Sequence, residues 1–209
     1  MTDPTATTTA DRAVTTRLPA AERREQLLEV ALEVFAANGF HETSMNEVAE
    51  AAGVTKPVLY QHFASKKALY NELVDEMGAR LERIIFEAVA DASGPRQQVE
   101  AGFRAYFRWA VAQGAAFRVL CSARTRADAE LASAVARVEG VVADRVASLI
   151  DIPGLSDDER HVLAFGVIGI AESTSRHWLK LGLGQGTDAD AFADKVARLA
   201  WSGLRGITP

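Results

Sequence analysis

The sequence predicts an all-α protein of about nine helices, and three observations support this class. Apolar residues recur at helical spacing through most of the chain, and no segment shows the strict alternation of a β-strand. Capping residues and glycine or proline breaks separate the apolar segments. The chain has 209 residues, of which 48% are hydrophobic and 24% charged, as expected of a globular protein with one large or two small domains.

The chain begins with a segment unlike the rest. Residues 1–18 are rich in threonine and lack periodic apolar positions, so we expect a disordered N-terminal arm. Residues 19–38 then keep apolar side chains on one side and predict a first helix that ends at Gly39.

Two short helices follow, joined by a tight turn. Ser44 and Glu47 form a capping box for the first of them, and Gly53 ends it. Thr55 caps the second, where Pro57 is tolerated because the first helical turn has no partner for the missing N–H. This pattern predicts a helix-turn-helix, whose second helix usually enters the major groove of DNA.

The second short helix has one apolar and one polar face. Leu59 and Phe63 point to the core, whereas the outward face carries Lys56, Pro57, Tyr60 and Gln61 beside His62. A cation, an amide and a flat apolar ring suit base edges, and a phenol or imidazole suits phosphates. Ser65 caps a further helix at Lys66 and Lys67, a favourable site for a phosphate. For any one of these residues, a role in the core or on a solvated face is as plausible as a contact with DNA. The whole set, in this order and spacing, favours DNA binding.

At these residues the sequence resembles the TetR (tetracycline-repressor-type) family of bacterial transcription regulators. The resemblance covers about the first third of the chain, and one departure is Val58, where many members carry threonine. The matching positions are residues 23–28, Ala31, Phe35, 38–40, Thr43, 48–49, 52–54, 59–60, 62–63 and Lys66.

The resemblance implies a homodimer that binds a palindromic double-stranded operator. By residue, it implies that Thr43, Thr55, Lys56, Pro57, Tyr60, His62 and Lys66 face DNA. Ser44 and Gln61 of the motif complete the predicted DNA-binding set. We expect residues 19–64 to form the DNA-binding domain and residues 65–209 an effector-binding and dimerisation domain, with the fourth helix shared between them.

The remainder of the chain predicts further helices. A fourth helix runs from residue 65 to about 92, and Ser93-Gly94-Pro95 ends it. Ser156 and Glu159 form a second capping box. The predicted helices of this part are residues 97–113, 117–121, 127–150, 156–181 and 189–205.

Aromatic side chains on the fifth helix suggest a pocket for a small, largely apolar effector, although such a stripe is more often plain core packing. Polar side chains inside the helix at 156–181 would orient a polar group of the effector if they are buried. The candidate lining residues are Phe103, Tyr106, Phe107, Trp109, Phe117, Cys121, Phe165, Ile168, Glu172 and Arg176.

The last two helices are candidates for a homodimer interface. Two-fold dimers are common, and two helix-turn-helix units can bind a palindrome together only if their subunits associate. Small residues would allow close approach of a second helix, and large apolar residues would supply buried area. Packing within one subunit is the alternative. The candidates are Gly166, Gly169, His177, Trp178, Leu181, Phe192, Val196, Leu199 and Trp201.

Other classes of function have little support. The four histidines lack the spacing of a metal site, no nucleotide-binding or nucleophile motif occurs, and we expect neither a cofactor nor catalysis. A lone Cys121 and the absence of an apolar leader or spanning segment suit a cytoplasmic protein. The net charge of −5 argues only weakly against DNA binding, because the local field matters more.

The sequence therefore predicts a transcriptional regulator, and a repressor released by its effector is the favoured form. An activator or a corepressor-dependent regulator of the same fold is the first alternative. A small-molecule binding protein without operator binding is the alternative from another class.

Overall fold

The computed structural model of the chain describes residues 19–121, 129–184 and 188–207, and these ranges contain nine helices and no strand. The all-α prediction is confirmed, and the predicted arm at 1–18 lies outside the described residues. The helices are α1 Ala20–Asn38, α2 Met45–Ala51, α3 Lys56–His62, α4 Lys66–Ala90, α5 Pro95–Ala112, α6 Gly114–Cys121, α7 Ala129–Ser148, α8 Asp157–Lys180 and α9 Ala189–Arg205.

Local signals explain most helix ends. Both predicted capping boxes are present, at Ser44 before α2 and at Ser156 before α8. The Ser65 hydroxyl accepts a hydrogen bond from the Ala68 N–H at the start of α4. Helix α6 begins three residues earlier than expected, because Gln113 alone separates it from α5 and its carbonyl already accepts from the Phe117 N–H.

Helix α4 belongs to two parts of the interior. Near its N-terminus, Tyr70 packs edge-on against Phe35 and Phe40, with ring centroids 5.3 and 5.1 Å apart. Further along, Leu81 and Val89 are buried where α4 packs on α5 and α7. One continuous core therefore runs from α1 to α9 through α4.

Helices α5, α8 and α9 enclose an aromatic cluster. Trp178 of α8 stacks on Phe192 of α9 at 5.2 Å, and Phe107 of α5 meets both rings edge-on at 5.6 Å. Arg104 and Arg108 of α5 form ion pairs with Asp194 and Asp190 of α9 beside this cluster. Among the described residues, no helix is long and apolar enough to cross a membrane.

We expect Phe107→Ala to lower the free energy of unfolding by about 3–5 kcal/mol, because it removes a fully buried ring between two others. Urea denaturation measures this change. Val111→Ala is the control on the same helix, since Val111 is exposed and should change stability by less than about 0.5 kcal/mol. Equal effects of the two substitutions would contradict a central role for the aromatic cluster.

Candidate DNA-binding surface and internal cavity

The helix-turn-helix is built as its sequence predicts. The Ser44 hydroxyl accepts from the Glu47 N–H, while Glu47 accepts from the Ser44 N–H at 2.7 Å. The bonds from the Ser44 backbone and then its hydroxyl lower the pKa of Glu47, so the carboxylate is ionised and the box intact at neutral pH. Gly53 has φ = +64°, and its left-handed conformation makes the turn into α3.

The outward face of α3 presents one cluster of exposed side chains. Lys56, Pro57, Tyr60 and Gln61 all lie on it, and Tyr60 is 43% exposed. The Lys56 ammonium lies 6.0 Å from the centre of the Tyr60 ring. Thr55 precedes them at the N-cap position and is exposed, but its hydroxyl makes no capping hydrogen bond, which corrects the expected side-chain cap. The structure thus brings five of the predicted DNA-binding residues onto one surface.

Two other predicted residues face the interior. Thr43 is 1% exposed, and its hydroxyl donates to the Gly39 carbonyl at 2.8 Å. The Lys66 ammonium donates to the carbonyls of Phe40, His41 and Thr43 at 2.8–3.2 Å. This corrects the expectation that both side chains point at DNA, because their polar atoms already satisfy the loop between α1 and α2.

Ser44 and His62 have mixed surroundings. Ser44 is exposed, but its hydroxyl is engaged in the capping box. His62 is half-buried with its ring against Phe63, and its carbonyl accepts from Arg24. Both stand at the border of the exposed cluster.

Arg24 of α1 holds in place α3, the helix that is expected to enter the DNA groove (the recognition helix). The helix-turn-helix motif gave no sign of this role. Its guanidinium donates to the His62 carbonyl at 2.7 Å, pairs with Glu72 of α4 and lies 4.5 Å from the centre of the Phe63 ring. The partners are 38 to 48 residues away along the chain, so local spacing carries no signal of the contact.

An apolar cavity of about 360 Å³ lies among helices α4 to α9, in the size range of ligand pockets. Of the predicted lining residues, Phe103, Tyr106, Cys121, Ile168 and Glu172 lie on its wall. Sequence reasoning missed the walls formed by α4 and α7. Their periodic apolar positions mark a buried face, but periodicity does not distinguish a cavity wall from a filled core. The added residues include Leu81, Ile85, Phe86, Val89, Val135, Val138, Val142 and Val146.

The cavity has a closed and an open end. Lining residues of the closed end, such as Tyr106 and Cys121, are buried, whereas Pro95, Asp151 and Arg205 are exposed and mark the mouth. From Gln98 at the mouth to Tyr106, helix α5 advances roughly 12 Å at about 1.5 Å per residue.

Tyr106 supplies a hydroxyl at the closed end. Its oxygen lies 3.7 Å from the Cys121 sulfur and 3.3 Å from the Ser175 hydroxyl. Burial raises the pKa of Tyr106 well above its ordinary value, so the phenol stays protonated at neutral pH. The closed end therefore retains a hydrogen-bonding hydroxyl among apolar side chains.

The other predicted pocket residues lie outside the cavity wall. Phe107 is in the aromatic cluster, and Trp109 packs edge-on against Phe117. Phe165 is exposed on α8. Arg176 donates to the Cys121 carbonyl at 3.1 Å and so ties α8 to the end of α6.

The predicted interface residues separate into an outer and an inner group. Gly166, Gly169, His177, Leu181 and Leu199 are exposed, and Leu199 is 62% exposed. Trp178, Phe192 and Val196 pack inside the subunit, and half-buried Trp201 lines the cavity. The expectation that Trp178 and Val196 face a second subunit is corrected, because large apolar side chains on a two-sided helix fill its inner face first. For half-buried Phe192 and Trp201 the interface role stays a prediction. Exposed Val162 and Phe165 extend the outer group on α8.

Comparisons with known proteins agree with this architecture. Residues 27–73 match the family model described as bacterial regulatory proteins, tetR family. Over 189 residues the chain is 32% identical to the HTH-type transcriptional activator FasR of Mycolicibacterium smegmatis, an alignment that covers 90% of this chain and 85% of that protein.

Two solved structures share the fold. A TetR-like transcriptional regulator from Rhodococcus sp. RHA1 has a TM-score of 0.72 and 28% identity, covering 91% of this chain and 100% of that one. FadR from Bacillus subtilis, solved in complex with stearoyl-CoA, has a TM-score of 0.73 and 19% identity, covering 88% and 99% of the two chains.

The fold, the helix-turn-helix and the similarity along the chain define a DNA-binding transcriptional regulator. The chain belongs to the TetR family of bacterial regulatory proteins.

The positions of Lys56 and Lys66 predict that a substitution to methionine has a different effect at each lysine. Lys56→Met should reduce the slope of log K against log salt for operator binding by about 1 and leave stability unchanged, because Lys56 is exposed and we expect it to contact a phosphate. Lys66→Met should leave that slope unchanged and lower the free energy of unfolding by about 1–3 kcal/mol, because it removes bonds to carbonyls.

Fluorescence anisotropy at several salt concentrations and urea denaturation make these measurements. A reduced salt slope for Lys66→Met in a fully stable protein would return Lys66 to the DNA-binding surface.

Proposed function

We propose that this protein is a homodimeric regulator whose operator binding is controlled by a long-chain acyl thioester held in the cavity. The observation that carries the proposal is the apolar cavity among helices α4 to α9. We favour a repressor that releases its palindromic operator when the ligand binds.

The shape and lining of the cavity support an acyl chain as the ligand. Apolar side chains of α4, α5 and α7 form most of the wall, so an alkyl chain would exchange water for apolar contacts along its length. FadR, which has this fold, was solved with stearoyl-CoA. At the mouth, Arg205 would meet the phosphates of a coenzyme A head group left in solvent, since a guanidinium pairs well with phosphate.

For DNA contact we propose the exposed cluster at the start of α3. Thr55 and Tyr60 would donate hydroxyls to phosphates, and Lys56 and Gln61 would reach phosphates or base edges. Pro57 would present an apolar ring to a thymine methyl.

For dimerisation we propose the outer faces of α8 and α9. Val162 is 69% and Leu199 62% exposed, and Gly166 and Gly169 lie on the same face of α8, so a partner helix can approach closely. Contiguous apolar surface of this kind marks an interaction site. A second copy of the chain would cover it with the same residues across a two-fold axis.

The proposed response is a change in the separation of the two DNA-binding units. Helix α4 joins each unit to its body, so a ligand that binds better to one arrangement of α4 shifts the dimer toward it. Operator half-sites at fixed spacing then fit only one of the two arrangements. The proposal includes no catalytic step and places the protein in the cytoplasm with its DNA.

An activator is the second candidate. FasR, whose alignment covers 90% of this chain, is a transcriptional activator. The same spacing switch serves either sign, and transcription from a promoter carrying the selected operator distinguishes an activator from a repressor.

We expect stearoyl-CoA to lower operator affinity by about tenfold or more, and coenzyme A alone to leave it unchanged. The operator is first selected from a random duplex library with the purified protein, and affinity is then measured with and without ligand. Val146→Phe, which fills the cavity, should abolish the stearoyl-CoA effect, whereas Val141→Phe on the exposed side of α7 should not.

Selection of a palindrome with no response to stearoyl-CoA would contradict the acyl-thioester ligand. Ligand binding without selection of any duplex would favour a small-molecule binding protein over a regulator of this type.

We expect Leu199→Glu to shift the protein from dimer to monomer in sedimentation equilibrium and to weaken operator binding, because it buries an unpaired charge at the proposed interface. Val111→Glu introduces the same charge at an exposed position on α5 and should leave the dimer intact. A Leu199→Glu dimer as stable as the unsubstituted one would place the interface elsewhere.

A further inference from the structure

Helices α4 and α7 make a very close contact at Gly78. A methyl group at position 78 would lie 2.5 and 2.6 Å from the two Cγ atoms of Val138 and 3.1 Å from its Cβ. Ordinary van der Waals contact begins at about 3.4 Å, so only glycine allows this separation of the two helices. The Val138 side chain rests directly on the backbone of α4.

Val138 has little freedom to move aside. A β-branched side chain in a helix is held in one preferred rotamer, and rotation about Cα–Cβ would not move the Cβ atom that is itself too close. A change at this contact is therefore passed to the helices as a change in their separation.

The same valine forms part of the cavity wall. Because Val138 both lines the cavity and lies against Gly78, a ligand chain that presses on Val138 also presses on α4. Val138 is thus the side chain through which the cavity touches the connecting helix.

Ion pairs flank the contact without fixing its width. Arg137 lies 3.1 Å from Asp75, and Arg145 lies 3.3 Å from Glu82. Both arginines are exposed, and exposed pairs contribute little to stability and tolerate small displacements. The close packing at Gly78 therefore sets the lower limit on the separation of α4 and α7 at this point.

Helices α4 and α7 contact different functional parts of the protein. Lys66 and the Arg24–Glu72 pair fasten α4 to the DNA-binding helices. Helix α7 packs on α8, the helix of the proposed dimer interface. The separation at Gly78 therefore relates the position of the recognition helix to the interface.

We propose that the Gly78–Val138 contact is the positioning element that couples the occupied cavity to operator affinity. Ligand binding drives Val138 against α4 and widens the separation of α4 and α7. This inference rests on the proposed function and names the contact that transmits the effect of the ligand.

The ligand-free experiment compares Gly78→Ala, Val138→Ala and the double variant on the selected operator. Gly78→Ala should lower operator affinity by about tenfold without ligand, because the added methyl group separates the helices as a ligand would. Adding Val138→Ala should restore the affinity to that of Val138→Ala alone, since it removes both Cγ atoms from the contact.

Gly140→Ala is the matched control. Gly140 is a helical glycine of α7 that lies outside the cavity wall, and a methyl group there would meet nothing within 4 Å. Its operator affinity should stay within about twofold of the unsubstituted protein. A thermal melt of each variant shows that it is folded before affinity is measured.

The ligand experiment uses stearoyl-CoA with Val138→Ala. This variant should bind stearoyl-CoA, measured by calorimetry, but lose most of the change in operator affinity. A full response of Val138→Ala, or a loss in Gly78→Ala that the double variant does not recover, overturns the proposal. If Gly78→Ala does not fold, the response of Val138→Ala decides.

The proposed ligand and the proposed role of the Gly78–Val138 contact are tested by different outcomes. If the unsubstituted protein does not respond to stearoyl-CoA, the proposed ligand is wrong, and recovery in the ligand-free double variant still decides the role of the contact. If the unsubstituted protein responds and Val138→Ala responds equally, the ligand is right and the contact is wrong.

Discussion

The buried face of α4 is the constraint on which the structure depends. Its 25 residues bury Leu69 and Leu73 toward the first helices and Leu81 and Val89 toward the body. Because one continuous helix contributes to both parts of the core, neither part can move without moving the other along the same rod. Helix α4 also forms part of the cavity wall. It therefore connects the cavity to the DNA-binding helices, although the residues of the two sites are far apart along the chain.

The DNA-binding helices use cations as internal fasteners as well as external contacts. Lys66 satisfies three carbonyls of the loop after α1, and Arg24 binds the last carbonyl of α3. Hydrogen bonds from charged donors are among the stronger ones, so these contacts add to the buried apolar core of the three-helix unit. The cations left on the surface, Lys56 above all, are then few, in keeping with a protein of net charge −5.

Much of the architecture was predictable because its signals are local. Capping boxes at Ser44 and Ser156, the glycine turn at Gly53 and the apolar periodicity of α4 each act within a few residues. The exposed cluster from Thr55 to Gln61 was predictable for the same reason, since one helical turn decides which side chains share its outer face. Thr43 and Lys66 were misplaced because the groups they bind lie elsewhere: Gly39 is near in sequence but across a turn, and Phe40 is 26 residues from Lys66.

The sequence by itself determined the fold class, the position of the recognition helix α3 and the family, because periodicity, caps and turn residues act over short distances. Only the tertiary structure decided which apolar residues enclose empty space and which fill it. Phe103 lines the cavity and Phe107, one turn further along α5, is packed solid between Trp178 and Phe192. Both look the same in sequence, because a cavity wall and a core differ only in what the opposite helices leave unfilled.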